Sequence, residues 1–206
     1  IGGQVRDAAY GSDAQFLKLS GRVVEIRCHS GQADKCWGSE DGSTAPSGRL
    51  AIILPALFVN KGAAQQHEVI TRIEVLVSAK GQVPSELDAI LPVTLVANSF
   101  GTTTQNGGSQ NDRPFEPILI EGRSAGGSEV RLISFDRESR LPWDVLATAL
   151  ADARVTELVL ELRADTAIEE NTLVEVCHFQ MNDGLRSVMQ ERIDHRRSGR
   201  LTTVCK

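Results

Sequence analysis

Aromatic residues are scarce in this 206-residue chain: two Trp, one Tyr and six Phe, or 4% of the total. Surfaces that bind sugars or single-stranded nucleic acid by stacking need exposed rings, and most rings here sit inside apolar runs. Long apolar runs are missing too. The longest, 50–59, contains Pro55 and falls well short of a membrane-spanning helix. The familiar catalytic strings are also absent, with no G-x-S-x-G elbow, Walker P-loop, G-x-G-x-x-G or H-E-x-x-H. Four histidines occur, His29, His67, His178 and His195, none at a spacing that places a metal pair on one helix face. His29 beside Ser30 is the nearest thing to a catalytic base, although a lone loop histidine is usually just solvated. No cofactor or metal is expected.

What is present suits a globular chain. Apolar residues make up 41% and charged residues 24%, with a formal net charge of −5. That is enough to bury a core and too little charge for disorder. One domain over 1–206 is expected, because no convincing linker or repeat divides the chain.

Four cysteines remain, Cys28, Cys36, Cys177 and Cys205. An even count suits two disulfides. Cys28–Cys36 would close a short polar loop, and Cys177–Cys205 would tie the C-terminal end to a strand. Three pairings are open, and so is a set of reduced thiols in an intracellular or virion protein. Cys28-His29 and Cys177-His178 are adjacent Cys/His pairs, but neighbours on a strand point to opposite faces and no C-x-x-C spacing accompanies them.

Apolar clusters alternate with turn residues along the chain. Strands are expected over 17–27, broken near Gly21, and over 50–59, where a nearly unbroken apolar run reads as a strand buried on both faces. Residues 67–78 carry the clearest period-two signal, with Val69, Thr71, Ile73, Val75 and Val77 on one face and Arg72 and Glu74 on the other. Further strands are expected at 90–97, 117–121, 130–135, 156–163, 172–180 and 201–205, with a Gly-rich turn at 124–128. A long polar loop is expected at 99–114, centred on Asn106-Gly107-Gly108. Two helices stand out. One starts at Pro142 with Val145, Leu146, Ala149 and Leu150 on one face; the other follows Asn182-Asp183-Gly184, with Leu185, Val188, Met189 and Ile193 as its stripe.

Many short strands with turn signals between them predict a mainly β fold, an antiparallel β-sandwich or jelly roll with two short helices in connections. An α+β domain with helices on one sheet is the alternative. At this level of architecture alone, carried by no particular residue, the pattern resembles the single-jelly-roll coat proteins of small viruses, without their basic N-terminal arm.

Charge is unevenly spread. Segment 184–206 carries Arg186, Arg192, Arg196, Arg197, Arg200 and Lys206 against Glu191 and Asp194, a net +4, so the preceding residues carry −9. A basic end on an acidic body suits docking onto the next copy of the chain, or phosphate contacts with nucleic acid or an anionic surface; the plain alternative is a solvated basic face. The leading expectation is therefore a non-enzymatic structural protein, a self-assembling subunit of a coat, matrix layer or filament, virion-borne or extracellular. Its assembly contacts would be Arg192, Arg196, Arg197 and Arg200. The second is a secreted, disulfide-bonded module recognising a glycan or protein through Trp37 and the 99–114 loop. In that polar loop Trp37 either faces a ligand or packs against a local disulfide. The third is a small hydrolase using loop carboxylates such as Glu40-Asp41, Asp136/Glu138 or Glu169-Glu170. Residues 39–43 only loosely resemble a calcium loop.

Overall fold

A computed structural model describes residues 14–29, 36–37, 48–100, 113–133, 141–167, 173–197 and 199–206. In chain order the elements are β1 (Ala14–Phe16), β2 (Val23–His29), β3 (Arg49–Asn60), β4 (Glu68–Gly81), α1 (Ser85–Asp88), β5 (Val93–Phe100) and β6 (Arg113–Pro114). They continue with β7 (Ile118–Ile120), β8 (Ser124–Ile133), α2 (Trp143–Ala151), β9 (Val155–Thr166), β10 (Leu173–Gln180), α3 (Asp183–Asp194) and β11 (Arg200–Val204). The fold is mainly β and antiparallel, as the spacing of apolar runs predicts.

Eight strands form one hydrogen-bonded path in the order β10-β9-β4-β5-β8-β3-β2-β11, with β1, β6 and β7 attached at its sides. The sheet curls until its two end strands nearly meet, a nearly closed barrel. At that seam the His178 N–H donates to the Lys206 carbonyl at 3.3 Å, and a disulfide joins Cys177 to Cys205.

Alternation places one side of each strand in a shared core. Val24, Ile26, Leu54, Phe58, Ile73, Val75, Leu95, Leu132, Leu160, Leu162 and Phe179 are all buried there. Each such side chain contributes about 1.5–3 kcal/mol relative to leaving it in water. The first half of β3 is buried on both faces, as its unbroken apolar run predicts. Leu50, Ile52 and Leu54 join the core, while Ala51 and Ile53, pointing the other way, are equally inaccessible.

Helix α2 adds Trp143, Leu146, Ala149 and Leu150 to the same core and packs against α3. The start of α3 is set by Asn182, whose side-chain oxygen accepts the Leu185 N–H at 2.9 Å. Arg186 then reaches from α3 to the carbonyls of Leu150, at the end of α2, and Val155, at the start of β9. A cation at the negative end of a helix both satisfies an orphan carbonyl and complements the dipole.

Three local expectations are corrected. The glycines of 124–128 lie inside β8, paired with Phe58 and Leu57, and the turn falls earlier, where the Ser124 N–H donates to the Glu121 carbonyl. Gly127, at φ +141°, sits where a Cβ would lie 2.1 Å from the Ala56 carbonyl oxygen, so close approach of backbones, and not a turn, is why glycine stands there. In β4 a register shift between Ile70 and Arg72 changes the buried parity: Ile70 is inside and Thr71 exposed, while Ile73, Val75 and Val77 stay inward. Helix α1 was not anticipated, being a single turn.

Candidate functional site at the barrel seam

Two arginines of the basic segment pair with carboxylates of their own chain. Arg200 Nη2 lies 2.7 Å from Glu25 Oε2, and Arg197 Nη1 lies 3.0 Å from Glu191 Oε1. Arg192, in the last turn of α3, and Arg196, at φ +48°, also engage the chain. Carboxylates within the fold thus answer part of the charge of Arg200 and Arg197, while Arg196 and Arg197 stand exposed at the surface.

Trp37 takes the packing alternative. It follows the Cys28–Cys36 disulfide, is 8% exposed, donates its indole N–H to the Arg197 carbonyl at 2.8 Å, and meets Trp143 edge-on at 6.4 Å. Its ring therefore ties the segment after α3 to α2 and offers no stacking face to a ligand. Of the 99–114 loop, only its ends, in β5 and β6, lie among the described residues. The paired loop acids, the 39–43 segment and Ser30 lie outside them. Among the described residues no group of three or more His, Cys, Asp or Glu is placed to hold a metal ion.

Two charged clusters sit on the outer face of the sheet. In the first, Glu25 is 5% exposed. Arg200 holds one of its oxygens, and Arg27 Nη1 stands 3.7 Å from the other, which accepts no hydrogen bond. Burial pushes the Glu25 carboxyl above its ordinary pKa and outweighs the opposing pull of Arg200 and Arg27; Glu129 adds to the rise. The strand register sets Glu25 opposite Ile53, which in turn faces Arg131 of β8. In the second cluster Glu157 of β9 is hydrogen-bonded by His178 of β10 and by Lys80 Nζ of β4 at 3.0 Å. The His178 bond, then that of Lys80, hold the Glu157 carboxyl below its ordinary pKa. Both clusters cross-link neighbouring strands.

The seam is different in kind. Among the described residues β10 pairs only with β9, apart from the single His178–Lys206 hydrogen bond on its other side. In an antiparallel pair a residue turns its N–H and C=O to the same side, and alternate residues agree. Val174 and Val176 share the parity of His178, so they direct their backbone groups away from β9. Their side chains are 52% and 42% exposed. Val204 and Val23, cross-strand partners on β11 and β2, are 48% and 57% exposed beside the disulfide that closes the seam. The signal in the sequence was the alternation Val174-Glu175-Val176-Cys177, in which a disulfide cysteine facing inward forces both valines outward.

Both disulfides fit folding in an oxidising setting. Among the described residues no helix is long and apolar enough to cross a membrane. Comparison with protein-family models, curated proteins and solved structures returned no match, so function has to be argued from the chain's own geometry.

Proposed function

We propose that the chain is a non-enzymatic structural subunit that associates with further copies of itself through the open edge of β10. The observation that carries this reading is that edge: among the described residues no strand pairs with the outer side of Val174 and Val176, and both carry exposed β-branched side chains. A bare, apolar edge strand is a template for another strand, and proteins that stay monomeric blunt such edges with charge, proline or a bulge. None of these devices stands at Val174 or Val176.

A second copy is the occupant that fits. Two β10 strands meeting antiparallel about a two-fold axis would set valine against valine on the outer face. No like charges would oppose each other there, because Glu175 points the other way and accepts the Leu19 N–H. On this reading the nearly closed sheet serves as a sandwich or jelly-roll subunit does, with one face sealed and an edge left for its neighbour. The two disulfides separately favour a second reading, a binding module of an oxidising compartment.

The test is mass by light scattering after size exclusion, over a range of concentrations and without reductant. Wild type is expected to form dimers or larger species, and Val174→Lys/Val176→Lys to run as the 22.3 kDa monomer. A wild-type chain that stays monomeric throughout, or a variant that assembles as wild type does, refutes the proposal.

A further inference from the structure

An open groove of about 680 Å3 lies beside the seam, between β1, the turn that follows it and β3. Its size is within the roughly 300–1,000 Å3 range of small-ligand sites. Three cations line it, Lys18, Arg22 and Lys61, together with Gln15, Ser20 and Phe16, and among the described residues no carboxylate does. The backbone that carries them is fixed: the Arg22 N–H donates to the Leu19 carbonyl across a tight turn at Gly21 (φ +81°), and Gly21 and Arg22 exchange hydrogen bonds with Cys205.

Many cations elsewhere in the fold are paired, although Arg113, Arg186 and Lys206 meet a ring, carbonyls and an amide instead of an acid. Arg27, Arg72, Lys80, Arg154, Arg163, Arg197 and Arg200 each have a carboxylate partner. Among the described residues the side chains of Lys18 and Arg22 have none, and Lys61 Nζ is bound only by the neutral Gln15 Oε1 at 3.0 Å. The carboxylate nearest in the hydrogen-bond network, Glu175, is engaged by the Leu19 N–H at 3.4 Å. In a chain with a net charge of −5, acids are in surplus, yet among the described residues three like charges share one concavity without one. Their mutual repulsion is relieved when an anion enters, and a cleft lined by one sign of charge concentrates counter-ions.

We infer that this groove binds a sulfated oligosaccharide, with Lys18, Arg22 and Lys61 as its sulfate contacts. Gln15 and Ser20 supply amide and hydroxyl groups suited to sugar hydroxyls. A nucleic acid fits less well, because the groove's one ring, Phe16, is stacked on Phe58 at a centroid distance of 4.8 Å and is only partly accessible. The disulfides fit an oxidising setting, and among such settings the extracellular one is where sulfated polysaccharides occur. The inference goes beyond self-association and does not depend on it.

Fluorescence anisotropy of a labelled heparin oligosaccharide at low salt tests the site. Lys18→Gln, Arg22→Gln and Lys61→Gln are each expected to weaken binding about two- to fivefold, and the triple variant at least about tenfold. Binding is expected to fall as salt rises, and a desulfated probe to bind far more weakly. Arg197→Gln, which alters a cation paired elsewhere, is expected to bind as wild type does. Circular dichroism confirms the fold of the triple variant, and light scattering shows its state of association unchanged, which separates loss of the groove from loss of the β10 interface. Wild-type affinity in the triple variant, equal binding of the desulfated probe, or tighter binding of a single-stranded oligonucleotide overturns the inference.

Discussion

Cutting the seam disulfide, by changing Cys177 and Cys205 together to Ala, tests how much of the stability depends on barrel closure. The bridge joins residues 28 apart in sequence, and the other bridge joins residues 8 apart. A cross-link stabilises by restricting the unfolded chain, and the effect grows with the logarithm of the loop it closes. For these two loops it comes to about 3.6 and about 2.5 kcal/mol at 25 °C. Cys177 and Cys205 are also almost fully buried, so removing their sulfur atoms leaves a void that costs about 1 kcal/mol more. The seam variant is therefore expected to lose about 4–5 kcal/mol, against about 2.5 kcal/mol for Cys28→Ala/Cys36→Ala. Urea denaturation without reductant reads both. With a slope of about 2 kcal/mol per M, the midpoint should fall by about 2 M for the seam variant and about 1 M for the other. Equal shifts, or the reverse order, would refute the claim that the longer loop and the buried seam dominate.

Three further outcomes are expected. Glu157 is held below its ordinary pKa, so its stabilisation is present above the unfolded-state value and is lost as pH falls through the folded one; Glu157→Gln should flatten the acid limb of the stability–pH curve, and an unchanged limb would contradict this. Arg186→Met strips the Leu150 and Val155 carbonyls of their side-chain donor and should cost about 1–2 kcal/mol by chemical denaturation. A Cβ at Gly199 would lie 2.1 Å from the fully buried Trp143 indole, so Gly199→Ala should cost about 1–3 kcal/mol and alter the near-ultraviolet dichroism of the Trp37–Trp143 pair; wild-type stability and spectrum would overturn that packing.

The fold was more legible than the site because strand periodicity is a local signal and ligand geometry is not. Ile73, Val75 and Val77 declared their face through spacing alone, and Asn182 announced its helix. The bulge at Ile70–Arg72 escaped because one inserted residue leaves composition unchanged while reversing parity. The glycines of β8 read as a turn because their purpose, letting Ala56 and Leu57 come close, depends on a partner some seventy residues away in the chain. For Arg200 the sequence shows a charge but not its counter-charge. Glu25 is remote along the chain from Arg200 and meets it only when β2 and β11 pair. The grouping of Lys18, Arg22 and Lys61, with no acid among the described residues lining their groove, exists only in three dimensions.

Pairing β2 with β11 also sets an order on the birth of the molecule. Val23 and Val204 are cross-strand partners, so a ribosome finishes almost every other strand before it makes the one that closes β2. Until then the hydrogen-bonding edge of β2 is exposed to whatever surrounds the nascent chain. Contacts so distant in sequence are entropically late, and proteins of this length often pass through incomplete, aggregation-prone species. Among the described strands, then, β2 is the early one whose outer edge waits longest for its partner.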